Sequence, residues 1–195
     1  MREMIGKFRL WLGRRRVIVR LLGFLSGRLI MLMKKERLGI MLARETGEIV
    51  RASFQDRSEL WALESQCFHR EIAFSRRQIS YLLKSKRVEV YVVREEGRII
   101  AEAIVLKRKT PGGEVARLYS FAVKPGYRGR GLGKRLLLNC LEVLHGEGIQ
   151  TVYLEVEGDN HRAIALYESL GFRPIRELKG YYPENKDGIK MKLVL

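Results

Sequence analysis

Ala122-Val123-Lys124-Pro125-Gly126-Tyr127-Arg128-Gly129-Arg130-Gly131-Leu132-Gly133-Lys134-Arg135 joins two segments of different hydrophobic period. Upstream, the apolar run Leu118 to Val123 reads as a strand; downstream, Leu136 to Leu144 reads as an amphipathic helix. Pro125 and Gly126 force a turn between them. Glycines 129, 131 and 133 then alternate with cations at Arg128, Arg130 and Lys134. Glycine lets a backbone approach a ligand closely. The first amides of the following helix have no internal partner, and that end of the helix carries partial positive charge. Three cationic side chains complete a site for a phosphorylated ligand.

The spacing excludes two phosphate loops. A nucleoside-triphosphate loop needs G-x-x-x-x-G-K-[ST], but Gly133-Lys134 is followed by Arg135, and Arg128 stands where the first glycine belongs. The dinucleotide fingerprint needs G-x-G-x-x-G, and this stretch runs G-x-G-x-G. An R-G-x-G-x-G turn after a strand resembles instead the acetyl-CoA pyrophosphate loop of the GNAT-superfamily N-acetyltransferases.

Charge divides the chain in two. The 195 residues carry 38 Lys+Arg against 22 Asp+Glu, formally +16, and residues 1–44 hold twelve of those cations against Glu3 and Glu36. The length fits one domain, residues 45–195, with a basic N-terminal extension, residues 1–44. The modest surplus of the body suits a polyanionic acyl-CoA, and no specific nucleic acid is expected there. In the extension, Arg20 and Arg28 interrupt the apolar runs. No stretch reaches the ~20 apolar residues of a membrane span, and no clear cleavage site follows the basic start. Three readings stay open for it: a tail or an early translation start ahead of Met31, Met33 and Met41; a helix on an anionic membrane surface; or an arm that docks on RNA, the ribosome or a protein partner. Cys67 and Cys140 are far apart and outside any C-x-x-C, so neither a disulfide framework nor a zinc site is expected. Cys67 and His69 have nothing to orient them as a nucleophile pair. A cytoplasmic protein, or one peripheral at the membrane, is the expectation.

From Glu48 the pattern is globular. Ile49 to Phe54 reads as a strand, and Asp56-Arg57-Ser58-Glu59 has capping-box spacing ahead of Leu60, Leu63 and Phe68. A second helix starts at Ser75. Val88 to Arg94 and Ile99 to Lys107 form a hairpin around Glu95-Glu96-Gly97-Arg98. Val115 to Val123 is the fourth strand, and the third helix runs from about Leu132 to His145. Gln150 to Val156 follows, parallel to the fourth strand by strand–helix–strand logic. A fourth helix, Arg162 to Leu170, ends at Gly171. Phe172 to Leu178 and Ile189 to Val194 close the chain around the polar turn Lys179 to Gly188. The order predicts an α/β domain with a single mixed, mostly antiparallel sheet of about seven strands and four helices.

A second constellation follows the glycine loop: Leu154-Glu155-Val156-Glu157-Gly158-Asp159-Asn160, then Ala163-Ile164-Ala165-Leu166-Tyr167-Glu168-Ser169-Leu170-Gly171-Phe172. It resembles the second signature of the same superfamily. With Tyr181-Tyr182-Pro183 and Asp187-Gly188, residues from about 48 to the end resemble the ribosomal-protein alanine N-acetyltransferase branch, which acetylates protein N-termini. The resemblance implies the acyl-CoA N-acyltransferase fold and acetyl-CoA as co-substrate, with no metal. It implies that Arg128, Gly129, Arg130, Gly131, Leu132, Gly133 and Lys134 hold the pyrophosphate. It implies further that Phe121, Ala122 and Val123 pair with the pantetheine arm, that Asn160 contacts the cofactor, that Tyr167 touches it as general acid, and that Glu155 is the general base. Tyr181 and Tyr182 line the acceptor groove. Each has a plainer reading: a solvated strand carboxylate for Glu155 (with Glu157 competing for the role), core packing for Tyr167, a helix cap for Asn160, an aromatic turn for Tyr181 and Tyr182.

The chemistry agrees with these roles. A neutral amine must attack a thioester, and an α-amino group, with a pKa near ~8, needs only a modest base. Three functions remain in view: a protein N-terminal acetyltransferase, an acetyltransferase for a small-molecule amine, and a non-catalytic acyl-CoA-binding module.

Overall fold

A computed structural model describes residues 47–195. The extension, residues 1–44, and all three of its readings lie outside the described residues. Seven strands and four α-helices are present among the described residues. The strands are β1 (Glu48–Arg51), β2 (Val88–Glu95), β3 (Arg98–Thr110), β4 (Gly113–Val123), β5 (Thr151–Glu157), β6 (Arg173–Tyr182) and β7 (Lys186–Val194). The helices are α1 (Arg57–Cys67), α2 (Arg76–Lys84), α3 (Leu132–Gly146) and α4 (His161–Ser169). One sheet runs β1-β2-β3-β4-β5-β7-β6. Every neighbouring pair is antiparallel except β4 with β5. This is the mixed, mostly antiparallel sheet that the residue pattern predicts.

Alternation along the central strands feeds two cores. Val90 and Val92 pack with Leu60, Leu63, Ile79 and Leu82 of α1 and α2 on one face. Tyr91 and Val93 pack with Leu136, Leu137, Cys140 and Leu144 of α3 on the other. Burying each such aliphatic side chain contributes about 1.5–3 kcal/mol relative to exposure, and β2, covered on both sides, is buried from Val88 to Val93.

Local signals set some element ends, and distant groups override them at others. Ser75 and Gln78 close a full capping box at α2. Gly171, at φ +96°, ends α4 in the left-handed region, with Phe172 N–H on the Tyr167 carbonyl (3.1 Å) and Gly171 N–H on that of Glu168 (3.0 Å). The capping box expected at Asp56 and Glu59 does not form. Asp56 instead accepts from the Ser53 amide at 2.7 Å, closing the capping box of a 3-10 turn over Phe54–Asp56 whose N-cap is Ser53, and pairs with Arg94 at 2.5 Å. That turn is also why β1 stops at Arg51 rather than Phe54. At the other end, β6 and β7 run through most of the expected polar turn. Asp187 draws them together by accepting from Lys179 Nζ (2.7 Å) and the Gly180 amide (2.9 Å).

One feature of the sheet sets up the site. β4 and β5 pair only over Val115–Arg117 and Thr151–Tyr153. Beyond that point both strands continue without bonding to each other, and a cleft opens between them.

Candidate active site

The cleft has a volume of about 710 Å³ and is lined by the free ends of β4 and β5, the end of α1, the loop into α3, the start of α4 and the Tyr181–Tyr182 pair at the end of β6. Phe121, Ala122 and Val123 form its β4 wall. Gly131 is the N-cap of α3, at φ +75°, without a side-chain cap. Only a residue free to take that left-handed conformation lets the chain turn straight into the helix. The first helical bond comes from the Arg135 amide to the Gly131 carbonyl (3.1 Å), so the amides of Leu132, Gly133 and Lys134 have no partner within α3. Gly133 serves a different end: a Cβ there would lie 3.2 Å from the Phe121 ring, so its smallness lets the helix end close on β4.

The cations divide. Lys134 lines the cleft. Arg128 also lines it, with Nε donating to the Val123 carbonyl at 2.8 Å. Arg130 is not part of the lining; its guanidinium lies 5.5 Å from the Tyr127 ring centroid. Arg162 takes a place that the loop pattern did not indicate. It lines the cleft, and its guanidinium reaches to 3.5 Å from where a Cβ on Gly129 would be. A signal for it exists in the sequence: a cation in the first turn of a helix opposes the helix dipole and is favoured there when it faces an anion.

Asn160 stands at the start of α4. It caps α4 by accepting from the Ala163 amide at 3.1 Å, and it lines the cleft. Tyr167, 6% exposed, also lines the cleft, its ring centroid 6.3 Å from Phe121 and 5.8 Å from Phe172. Burial, and then the Tyr182 phenol, push its hydroxyl well above the ordinary phenol range, so it keeps its proton at neutral pH.

Glu155 is not a solvated carboxylate. Its side chain is 9% exposed, with Oε2 accepting from Arg117 Nε at 2.7 Å and Oε1 lying 3.5 Å from Lys190 Nζ. Arg117 also donates to the Tyr181 hydroxyl at 3.3 Å, and Tyr181 packs edge-on to Tyr182 at 5.2 Å. Glu157 shares the face but lies one step further out, 3.7 Å from Lys186 Nζ.

A buried polar cluster below the β4 wall was missed. Glu64 Oε2 accepts from the Phe74 amide (3.1 Å) and Glu64 Oε1 from Ser120 Oγ (2.5 Å), and Glu102 lies behind Ser120 at 3.4 Å. The signal was present: Glu64 follows Leu60 and Leu63 on the apolar face of α1, and Glu102 interrupts the apolar run of β3. Among the described residues, no group of three His, Cys, Asp or Glu side chains is placed to hold a metal ion, and no helix is long and apolar enough to cross a membrane.

Comparison with known proteins places this architecture. The profile of the acetyltransferase (GNAT) family matches residues 54–172. The chain is 43% identical over 81 residues to the [ribosomal protein bS18]-alanine N-acetyltransferase of Escherichia coli strain K12, a match spanning 40% of this chain and 55% of that protein. It thus spans about half the length of the curated relatives it matches. Mycothiol acetyltransferase of Beutenbergia cavernae is 46% identical over 67 residues, 34% of this chain and 23% of that one. Among solved structures, the ribosomal-protein-S18-alanine N-acetyltransferase of Escherichia coli superposes with a TM-score of 0.67 at 28% identity, covering 76% of this chain and 93% of the other. Arabidopsis thaliana NAA60 in complex with acetyl-CoA superposes at 0.68 with 19% identity, covering 76% and 98%, which speaks to the fold.

Proposed function

Since the chain belongs to the acetyltransferase (GNAT) family, whose profile matches residues 54–172, we propose that it transfers the acetyl group of acetyl-CoA to a primary amine by direct attack in a ternary complex. The acceptor is the N-terminal α-amino group of a protein such as a ribosomal protein. The observation that carries this reading is the end of β4–β5 pairing after Arg117 and Tyr153. The α3 N-terminus stands beside the resulting opening, and Glu155 and Tyr167 line it. The similarity to the [ribosomal protein bS18]-alanine N-acetyltransferase of Escherichia coli supports the choice of acceptor.

Acetyl-CoA supplies the activated acyl carbon; the protein supplies binding, orientation and proton handling. The unpartnered amides of Leu132, Gly133 and Lys134, with Lys134 and Arg162, suit a diphosphate. The backbone of Phe121, Ala122 and Val123 offers an edge to an extended amide chain, and an N–H there stabilises charge on the thioester oxygen, an effect worth roughly 3–4 kcal/mol at other acyl-transfer sites. Glu155, held in place by Arg117 and Lys190, takes a proton from the attacking nitrogen through a water. The buried Tyr167 phenol gives one to the departing sulfur. Tyr181 and Tyr182 flank the acceptor. Residues 1–44, with their excess of cations, serve docking at the ribosome or a membrane surface in this scheme, and the setting is cytoplasmic.

A second reading, a small-molecule amine as acceptor, is favoured by the similarity to mycothiol acetyltransferase. A panel of peptides with free N-termini, polyamines and amino sugars, followed by thiol release and product mass, separates the two. Turnover of peptides is the expected result. Turnover confined to small amines overturns the acceptor, and an absence of coenzyme A binding by calorimetry overturns the whole reading.

A further inference from the structure

Glu64 and Glu102 are 1% and 0% exposed, and the scheme above uses neither. Ser120 stands between them, half-buried, and both Ser120 and Glu64 line the cleft next to Phe121. Ser120 Oγ donates to Glu64 Oε1 at 2.5 Å and lies 3.4 Å from Glu102 Oε1. Glu64 Oε2 is fixed by the Phe74 amide at 3.1 Å. Glu102 Oε2 is buried with no hydrogen-bond partner. Neither carboxyl takes part in an ion pair among the described residues.

Burial, and then the adjoining Glu64, push the Glu102 carboxyl well above the ordinary carboxylate range. Cys67 of α1 is the other titratable group that faces it, and its register partners, Val92 on β2 and Ala122 on β4, are uncharged. Burial thus keeps Glu102 in its neutral form, and Glu64, which accepts from both Ser120 Oγ and the Phe74 amide, presents its carboxylate against the cleft wall. Elsewhere in the cleft the carboxylates are neutralised: Glu155 faces Arg117 and Lys190, and Glu157 faces Lys186.

We propose that Ser120, Glu64 and Glu102 form the subsite for the acceptor's primary ammonium group. The inference rests on the acetyl-transfer reading above. The Ser120 hydroxyl donates its hydrogen bond to Glu64 and keeps lone pairs to accept an ammonium N–H. Glu64 is the countercharge behind it, and Glu102, holding its proton, keeps the pair at one charge. Phe74, tied to Glu64, forms the adjoining wall and packs against Tyr119 at 5.1 Å. The amine is thereby drawn to the β4 side of the opening, across from Glu155 on β5.

The test uses the full-length protein with Ser120→Ala and Glu64→Gln. Steady-state kinetics are measured on the best acceptor of the panel, with binding of that acceptor and of its analogue in which hydrogen replaces the amino group. A charge-assisted hydrogen bond is worth about 1.5–3 kcal/mol, so the expected result is a ten- to hundredfold rise in acceptor KM. The KM for acetyl-CoA stays unchanged, and the preference for the amine over its analogue is lost. Thermal melting of each variant checks the fold, and Ser120→Ala, the smaller change, stands in where Glu64→Gln fails to fold. A wild-type acceptor KM and an intact amine preference in a folded variant overturn the subsite. A wild-type protein that turns over no amine overturns the acetyl-transfer reading instead.

Discussion

Tyr167 is held between two rings and lines the cleft. Its ring fills the space between Phe121 and Phe172, while its hydroxyl belongs to the cleft chemistry proposed for it. Tyr167→Phe keeps the packing and removes the proton. The expected outcome is a fall in kcat of roughly 10²–10⁴-fold with coenzyme A affinity unchanged, read from steady-state kinetics beside calorimetry. Arg117 is tied to Glu155 and Tyr181 together. Arg117→Ala releases both, and a misplaced base costs about ten- to a hundredfold in kcat/KM, measured on the same acceptor. Gly131, at φ +75°, has no such latitude. Gly131→Ala puts a Cβ into the left-handed region at a cost of about 1–2 kcal/mol, and weaker coenzyme A binding by calorimetry is the expected result.

Elements turn these residues into a site by where they end. α3 begins on a glycine with no side-chain cap, so its first amides are left for a ligand. α2, by contrast, spends its N-terminus on itself through Ser75 and Gln78. Ser75→Ala therefore touches stability and not catalysis: a loss of about 1 kcal/mol in urea unfolding, with kcat/KM unaltered. The glycine loop was readable because backbone conformation and helix polarity are local properties, written in 129–134 alone. The Asp56 capping box was misread for a related reason. D-x-x-E spacing fits a helix start, yet Arg94, brought in by the β1–β2 pairing, and the Ser53 amide draw the Asp56 carboxylate the other way. The extension of β6 and β7 through the polar turn was likewise hidden, because Lys179, Gly180 and Asp187 stabilise it only once the two strands face each other.

At the scale of the whole molecule, stability against pH has two opposed contributions. Asp56 and Glu89 lie below the ordinary carboxylate range. Burial pushes both upward but is outweighed, for Asp56 by the Ser53 amide and Arg94, for Glu89 by Lys107 and Tyr91. Their stabilisation is present above the unfolded values of 3.8 and 4.5 and is lost as pH falls through the lower folded values. Glu102 runs the other way: raised in the folded state, it contributes stability that is full below 4.5 and lost as pH rises toward its folded value. Melting temperatures from pH 4 to 9 should therefore show Glu102→Gln gaining on the wild type as pH increases; parallel curves would contradict a raised Glu102 carboxyl. The sequence by itself determined the sheet of seven strands and four helices, the glycine loop and the positions of Asn160 and Tyr167, because hydrophobic period, turn chemistry and helix ends are set by neighbours in the chain. Only the tertiary structure decided that Glu155 is clasped by Arg117 and Lys190, that Arg162 replaces Arg130 in the cleft, and that Glu64 and Glu102 meet across Ser120. Those contacts join residues up to 56 positions apart, and the energy of a charge depends on which distant groups the fold buries beside it.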